Sequence, residues 1–181
     1  PAKPNIIFIL ADDLGYGDVG CYGAKDIRTP NIDRLAAEGS RFTSFYVAQS
    51  VCTASRAALM TGSYPNRVSM RGALNHTSPT GLHLPEKTLG QVFKDKGYAT
   101  AMFGKWHLGH NPAYFPTRRG FDEWLGIPYS NDNGPLHPVT KGIPSLPLFD
   151  GADVVEVDPD QSQFTARFTA RAVSFIERNR D

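Results

Sequence analysis

Two rhythms of apolar and polar positions run along this chain of 181 residues. Asn5 to Ala11 is filled with β-branched and aromatic side chains without polar alternation, the pattern of a fully buried strand. It runs into Asp12-Asp13 and then a glycine-rich turn from Gly15 to Gly23. Thr29-Pro30 predicts a helix start, since Thr can cap and Pro suits the first helical position. Ile32, Leu35 and Ala36 supply that helix with an apolar stripe, and Gly39 sits where a left-handed stop is expected. Arg41 to Val47 alternates as a half-buried strand does. Further helices are predicted from Ala54 to Met60, stopping near Gly62, and from Pro85 to Lys96, stopping at Gly97. Tyr98 to Phe103 reads as a strand that closes at Gly104-Lys105-Trp106-His107. Ser162 to Asn179 predicts a last helix with Phe164, Phe168, Ala172, Phe175 and Ile176 on one face.

This order of elements predicts an α/β fold with a mainly parallel central sheet flanked by helices. In such sheets chemistry gathers at the carboxyl ends of strands. Asp12-Asp13 and the Lys105/His107 pair both lie at such ends. Residues 110 to 160 hold 8 of the 14 prolines and little periodicity, so they read as an irregular excursion over the surface. Phe121, Trp124, Leu125 and Tyr129 anchor that stretch and argue against an interdomain linker.

Composition narrows the function classes. Lys and Arg total 19 against 18 Asp and Glu, a formal charge of +1, which argues against a nucleic-acid or membrane-surface protein. Hydrophobic residues at 40% and charged residues at 20% suit a globular chain, and the longest apolar run, Ile6 to Ala11, is far too short for a membrane span. Cys21 and Cys52 cannot form a disulfide framework. The length allows one domain. The opening Pro1-Ala2-Lys3-Pro4 carries no signal-peptide pattern and suits a processed or trimmed chain.

Three places carry candidate chemistry. Asp12 and Asp13 are adjacent carboxylates for which a hard divalent cation is one solution and a solvated turn the other; two carboxylates are few for a Ca²⁺ shell of roughly 6–8 oxygens. Cys52 lies at the mouth of a short helix with Arg56 one turn later; both features favour an anion and lower a thiol's pKa, although a lone cysteine is more often a small buried hydrophobe. Lys105 and His107, two residues apart, face the same way if the chain stays extended. There they could hold an anionic group and move a proton.

Taken together, these motifs resemble the type I, formylglycine-dependent sulfatases, in particular arylsulfatases and N-acetylgalactosamine-6-sulfatase-like enzymes. The stretch from Asn5 to Asp18 looks like that family's first strand and metal pair. Cys52-Thr53-Ala54-Ser55-Arg56 with Leu59-Met60-Thr61-Gly62 looks like its first signature, with Ala54 where Pro is commoner. Gly97 to His107 looks like the second. The resemblance covers most of the chain and implies an alkaline-phosphatase/sulfatase-like fold, incomplete on its C-terminal side.

It further implies that Asp12 and Asp13 ligate Ca²⁺ (ahead of Mg²⁺) together with the modified Cys52 side chain. Cys52, oxidised by a formylglycine-generating enzyme, would be the nucleophile as its hydrated aldehyde. Arg56 would stabilise that diol, Lys105 would hold the sulfate, and His107 would assist sulfate elimination. Ser130 would contact substrate. The implied reaction is hydrolysis of a sulfate monoester, on a sulfated sugar, by a secreted, periplasmic or lysosomal enzyme. The diol explains why cysteine must be oxidised: its second hydroxyl expels sulfate, where a plain serine would remain as a stable ester.

Such enzymes run to two or three times this length. Their second metal pair, an Asp-Asn, and a further histidine and lysine are expected beyond Asp181. Asp132-Asn133 has the right letters but follows no apolar strand and is not taken as that pair. On this reading residues 1–181 are the N-terminal part of a catalytic domain, inactive alone and completed by a missing C-terminal part. The alternatives are a phosphate or phosphonate monoester hydrolase of the same superfamily, and a non-catalytic fragment that binds sulfated glycans. Neither a nucleic-acid partner nor a membrane span is expected.

Overall fold

The computed structural model describes residues 3–180, and the chain divides into two compact units, Pro1–Val47 and Ala48–Asp181. In the first unit, helix α1 spans Pro30–Glu38 as predicted, entered at Thr29 with Pro30 in its first turn. Thr29 does not cap its own helix. Its hydroxyl accepts from Gly20 N at 2.8 Å and donates to Asp33 at 3.0 Å, while Asp33 accepts from Cys21 N at 2.7 Å. The start of α1 thus clamps the short 3₁₀ turn Gly20–Tyr22. Gly39 ends the helix in an extended, not left-handed, conformation.

Two strands expected in this unit do not form. Asn5 to Ala11 has no regular structure and its apolar side chains are exposed, Ile9 to 80%. A strand exists by pairing its backbone, and no described residue of this unit forms a strand with which the run could pair. Arg41 to Val47 is also irregular. There the Tyr16 and Tyr22 hydroxyls donate to the carbonyls of Phe45 and Phe42, and Arg41 binds the Cys21 carbonyl. The segment's polar groups are engaged by side chains in place of a ladder.

The second unit holds the core. Helix α2 (Cys52–Thr61) closes at Gly62, left-handed at φ 65°, as the pattern predicts. Helix α3 spans only Leu89–Lys94, entered by a Thr88–Gln91 capping box. It begins later than Pro85 because the carbonyls of His83, Leu84 and Glu86 accept from the buried Arg119 guanidinium. Strand β1 (Ala101–Phe103) is shorter than expected. Strands β2 (Glu123–Gly126), β3 (Pro147–Asp150) and β4 (Asp153–Val157) follow, then helix α4 (Phe164–Arg178).

The sheet order is β1-β2-β3-β4. The class is α/β as predicted, but the sheet is mixed: β1 and β2 are parallel, and the other two pairings are antiparallel. The excursion expected over 110–160 therefore contains three of the four strands. Its prolines punctuate instead of disrupting: Pro112 and Pro116 open 3₁₀ turns and Pro147 opens β3, positions where a missing N–H costs little. Its aromatic anchors are core residues. Trp124 is fully buried, stacked on Phe149 at 5.4 Å and packed against Phe115.

Helix α4 lies over the opposite face of the sheet, with Phe164 and Phe168 packed against the cluster of Leu125, Ile127, Tyr129, Leu146 and Leu148. Phe175 meets Phe103 of β1. Charge then fixes the helix in register. Arg171 forks onto both carboxylate oxygens of Asp150 at 2.9 and 3.1 Å, Arg167 reaches Glu156 and Arg178 reaches Glu123. The bidentate pair supplies direction more than energy, since partly exposed ion pairs contribute only about 0–1 kcal/mol each.

The tightest point of the sheet is Gly126, where an added Cβ would stand 1.9 Å from the Gly104 carbonyl oxygen. A Gly126→Ala chain must push the ends of β1 and β2 apart. Its expected cost is about 3 kcal/mol, as for an overpacked core, read as a lowered urea midpoint in equilibrium unfolding.

Candidate active site

Cys52 is the first residue of α2, half-buried, after Val51 in extended conformation with no capping side chain. The helix's leading amides are therefore directed at the Cys52 end without an internal acceptor, which favours negative charge there. Arg56, four residues on, lies on the same face of the helix. Thr53, Ala54 and Ala57 are buried on the other side, with Ala57 in the main core cluster. Burial of that face fixes the orientation of the Cys52/Arg56 face.

Lys105 and His107 are positioned by a continuation of the parallel pairing past the ends of β1 and β2. Gly104 N donates to Leu125 O at 2.9 Å, Trp106 N to Ile127 O at 3.0 Å and His107 N to Pro128 O at 3.1 Å. The segment does not stay extended, the condition on which the two side chains would face the same way, since His107 takes a left-handed backbone at φ 60°. Lys105 and His107 consequently differ in setting: Lys105 is half-buried and His107 almost wholly buried.

Side-chain bonds tie this segment to α2 in a closed circuit. Arg56 Nη1 donates to the Lys105 carbonyl at 2.5 Å. His107 Nε2 lies 2.6 Å from the Leu74 carbonyl, and Leu74 N donates to Thr53 Oγ1 at 3.1 Å, back on the first turn of α2. A carbonyl only accepts, so the proton of that contact belongs to Nε2 and the basic nitrogen of neutral His107 is Nδ1. Thr53 and the Leu74 backbone are the members that sequence reasoning missed. Thr53 carried a weak signal as a polar residue inside the motif, and a backbone carbonyl carries none.

Ser130 is half-buried one residue beyond the buried Tyr129. Its hydroxyl is bonded to the Asp132 carboxylate and is the largest reason that this carboxyl lies below its ordinary pKa. The structure thus joins four of the seven sequence-nominated residues, or their supports, within the second unit: Cys52, Arg56, Lys105 and His107.

Asp12 and Asp13 belong to the first unit. Both are exposed, and Asp13 has a left-handed backbone at φ 59°. As carboxylates they suit a hard cation in kind. They are too few to enclose it, and no group of three or more His, Cys, Asp or Glu suited to a metal occurs among the described residues. Two concavities, about 500 Å³ beside Cys21 and Arg41 and about 210 Å³ beside Leu146 and Asp158, are lined by none of the nominated residues.

The fold and this arrangement define an α/β protein with a cysteine at an anion-receptive helix terminus. The family model described as Sulfatase matches residues 4–181. The chain is 53% identical to human arylsulfatase A over 83% of its own length and 30% of that protein's, and 38% identical to pig N-acetylgalactosamine-6-sulfatase over 98% and 37%. The crystal structure of Ps i-CgsB in complex with k-i-k-neocarrahexaose superposes with a TM-score of 0.84 at 36% identity, covering 98% of this chain and 42% of that one. The chain belongs to the sulfatase family. It spans about a third of the length of the curated relatives it matches.

The circuit makes a specific demand on Thr53. A Thr53→Val chain keeps the side-chain shape but leaves the Leu74 N–H without its acceptor, an expected loss of about 1–3 kcal/mol. Hydrogen exchange at the Leu74 amide should accelerate while the amides of α4 keep their protection.

Proposed function

We propose that this chain supplies the nucleophile half of a sulfatase active site that hydrolyses sulfate monoesters, with Cys52 converted to formylglycine and Ca²⁺ bound through Asp12 and Asp13. The observation that carries the reading is the circuit holding Arg56, Lys105 and His107 around the N-terminal turn of α2, where Cys52 stands. A sulfate monoester is anionic, and its hydrolysis moves negative charge onto the leaving oxygen. The α2 amides and Arg56 favour an anion at the Cys52 position. The Lys105 ammonium serves the non-bridging sulfate oxygens. His107, with Nε2–H committed to Leu74, exchanges a proton with the nucleophile through Nδ1. Ser130 offers its hydroxyl oxygen to the substrate while its proton stays with Asp132.

The hydrated aldehyde would supply one hydroxyl to attack sulfur and a second through which sulfate is released. Ca²⁺, which Asp12 and Asp13 would hold, would supply positive charge to the reaction, with its remaining ligands outside Asp12 and Asp13. Both belong to the finished protein, so the partners proposed are a formylglycine-generating enzyme, acting on the sequence from Cys52 to Arg56, and the remainder of the catalytic domain. A sulfated sugar is the proposed substrate class. It is supported by the k-i-k-neocarrahexaose in complex with the structural relative and by the N-acetylgalactosamine-6-sulfatase match. No helix among the described residues is long and apolar enough to cross a membrane. The proposed location is secreted, periplasmic or lysosomal.

Two outcomes test the reading in the native, full-length protein. Peptide mass spectrometry should find an aldehyde at Cys52, and Cys52→Ser should retain substrate affinity while sustained turnover falls at least about 10³-fold, the scale expected when a covalent nucleophile is lost; multiple turnovers by that variant on an aryl sulfate sink the diol mechanism. Chelation should abolish aryl-sulfate hydrolysis and added Ca²⁺ should restore it. Faster turnover of an aryl phosphate than of the matching aryl sulfate would move the assignment to a phosphate monoesterase.

A further inference from the structure

Beside the circuit, three half-buried polar side chains come together from three segments. His76 follows Leu74, whose carbonyl binds His107. His110 follows His107 by three residues, and Asn133 follows Ser130 by three. His76 Nδ1 lies 3.5 Å from Asn133 Oδ1. The His110 ring meets the buried Tyr129 ring edge-on at 5.9 Å. His76 is close enough to oppose a positive charge on His110. Asn133 is held by its N–H to the Ser130 carbonyl at 2.9 Å and His110 by Tyr129, the neighbour of Ser130, while His76 meets Asn133; none has a part in the chemistry proposed above.

We propose that His76, Asn133 and His110 form a recognition site for the hydroxyl groups of the sugar that carries the sulfate ester. This rests on the sulfatase reading and extends it to specificity. The chemistry favours a neutral, hydroxyl-bearing group over a second anion. Burial, with His76 beside it, holds His110 below the ordinary histidine range, so at neutral pH its ring is uncharged. A neutral imidazole presents one N–H and one lone pair, and an amide presents both kinds of group. A sugar hydroxyl, itself donor and acceptor, is complementary to such a set, whereas an anion needs donors alone. Partial burial matters too: a ligand hydroxyl that leaves these groups unpaired loses their desolvation, which makes the site selective.

The test compares substrates with and without ring hydroxyls on the native full-length protein. Galactose 6-sulfate and N-acetylgalactosamine 6-sulfate are the sugar probes, and 4-nitrophenyl sulfate is the hydroxyl-free control. His76→Ala, Asn133→Ala and His110→Phe are the variants; the phenyl ring of the last keeps the contact with Tyr129. Each should lower kcat/KM on at least one sugar sulfate about fivefold, and the His76→Ala/His110→Phe pair more than tenfold, mainly through KM. Turnover of 4-nitrophenyl sulfate should stay within about twofold, an outcome that general damage to the fold does not give.

Equal losses on sugar and aryl substrates, or no loss on either, overturn the proposal. Failure of the wild-type protein both to bind and to hydrolyse either sugar sulfate overturns it as well. Binding is followed by the imidazole resonances of His76 and His110 in NMR titrations. If those resonances shift with a sugar sulfate while the protein hydrolyses no sulfate ester at all, the recognition site stands and the sulfatase reading fails.

Discussion

The bond from the Arg56 guanidinium to the Lys105 carbonyl is the constraint on which the site depends. It joins a helix to the segment that leaves a strand, and both partners are otherwise placed by independent packing. Helix α2 is seated by Thr53, Ala54 and Ala57, and the Lys105 segment by backbone bonds to Leu125, Ile127 and Pro128. Without a tie, small errors in either seat would change the separation of Cys52 from Lys105 and His107. The second tie, from His107 through Leu74 to Thr53, closes the loop. Two ties fix both the distance and the rotation of a helix terminus, which one could not.

Behind this arrangement the mixed sheet acts as a rigid support. Trp106, Phe115 and Trp124 fill one face and Leu125, Ile127, Leu146 and Leu148 belong to the other cluster. The pairs from Arg167 and Arg171 to Glu156 and Asp150 link α4 to strands at the far edge of the sheet. Because α4 also packs against β1 through Phe175 and Phe103, it spans the sheet from one edge to the other. Movement of β1, which feeds the Lys105 segment, would have to disturb those contacts. The site's geometry is thus stabilised by residues with no chemical role.

What could be read from the sequence divides along physical lines. Helices α1, α2 and α4 were legible because each has its own start, stripe or stop, and these are local signals. The strand expected over Asn5 to Ala11 was not realised, since an apolar run specifies burial but not the neighbour with which it pairs. Residues 110–160 misled in the opposite sense: prolines suggested irregularity, yet they sit at turn openings and a strand start, where proline is tolerated. Within the candidate site, Cys52, Arg56, Lys105 and His107 were nominated by residue type and spacing together with family resemblance. The Leu74 carbonyl was not, because a backbone acceptor has no letter. His76, Asn133 and His110 were equally silent: they are far apart in the chain and follow no spacing that their chemistry imposes.

Backbone strain falls on two of the nominated residues, Asp13 and His107, and on two others. Among the described residues, only Asp13, Ser69, His107 and Asp158 combine a side chain with positive φ. Such a residue costs of order 1 kcal/mol or more and persists where its surroundings over-determine it. For His107 the surroundings are visible: its own N–H is bound to Pro128, its Nε2 to Leu74, and its side chain is buried. An extended His107 would follow the pleat and turn its ring with Lys105, as a regular strand requires. The left-handed turn separates the two, leaving Lys105 partly open to solvent while holding the imidazole inside with one nitrogen engaged. In the proposed chemistry that division suits a cation that meets an anionic ligand and a base that keeps one tautomer, and two hydrogen bonds offset the strained backbone that makes it possible.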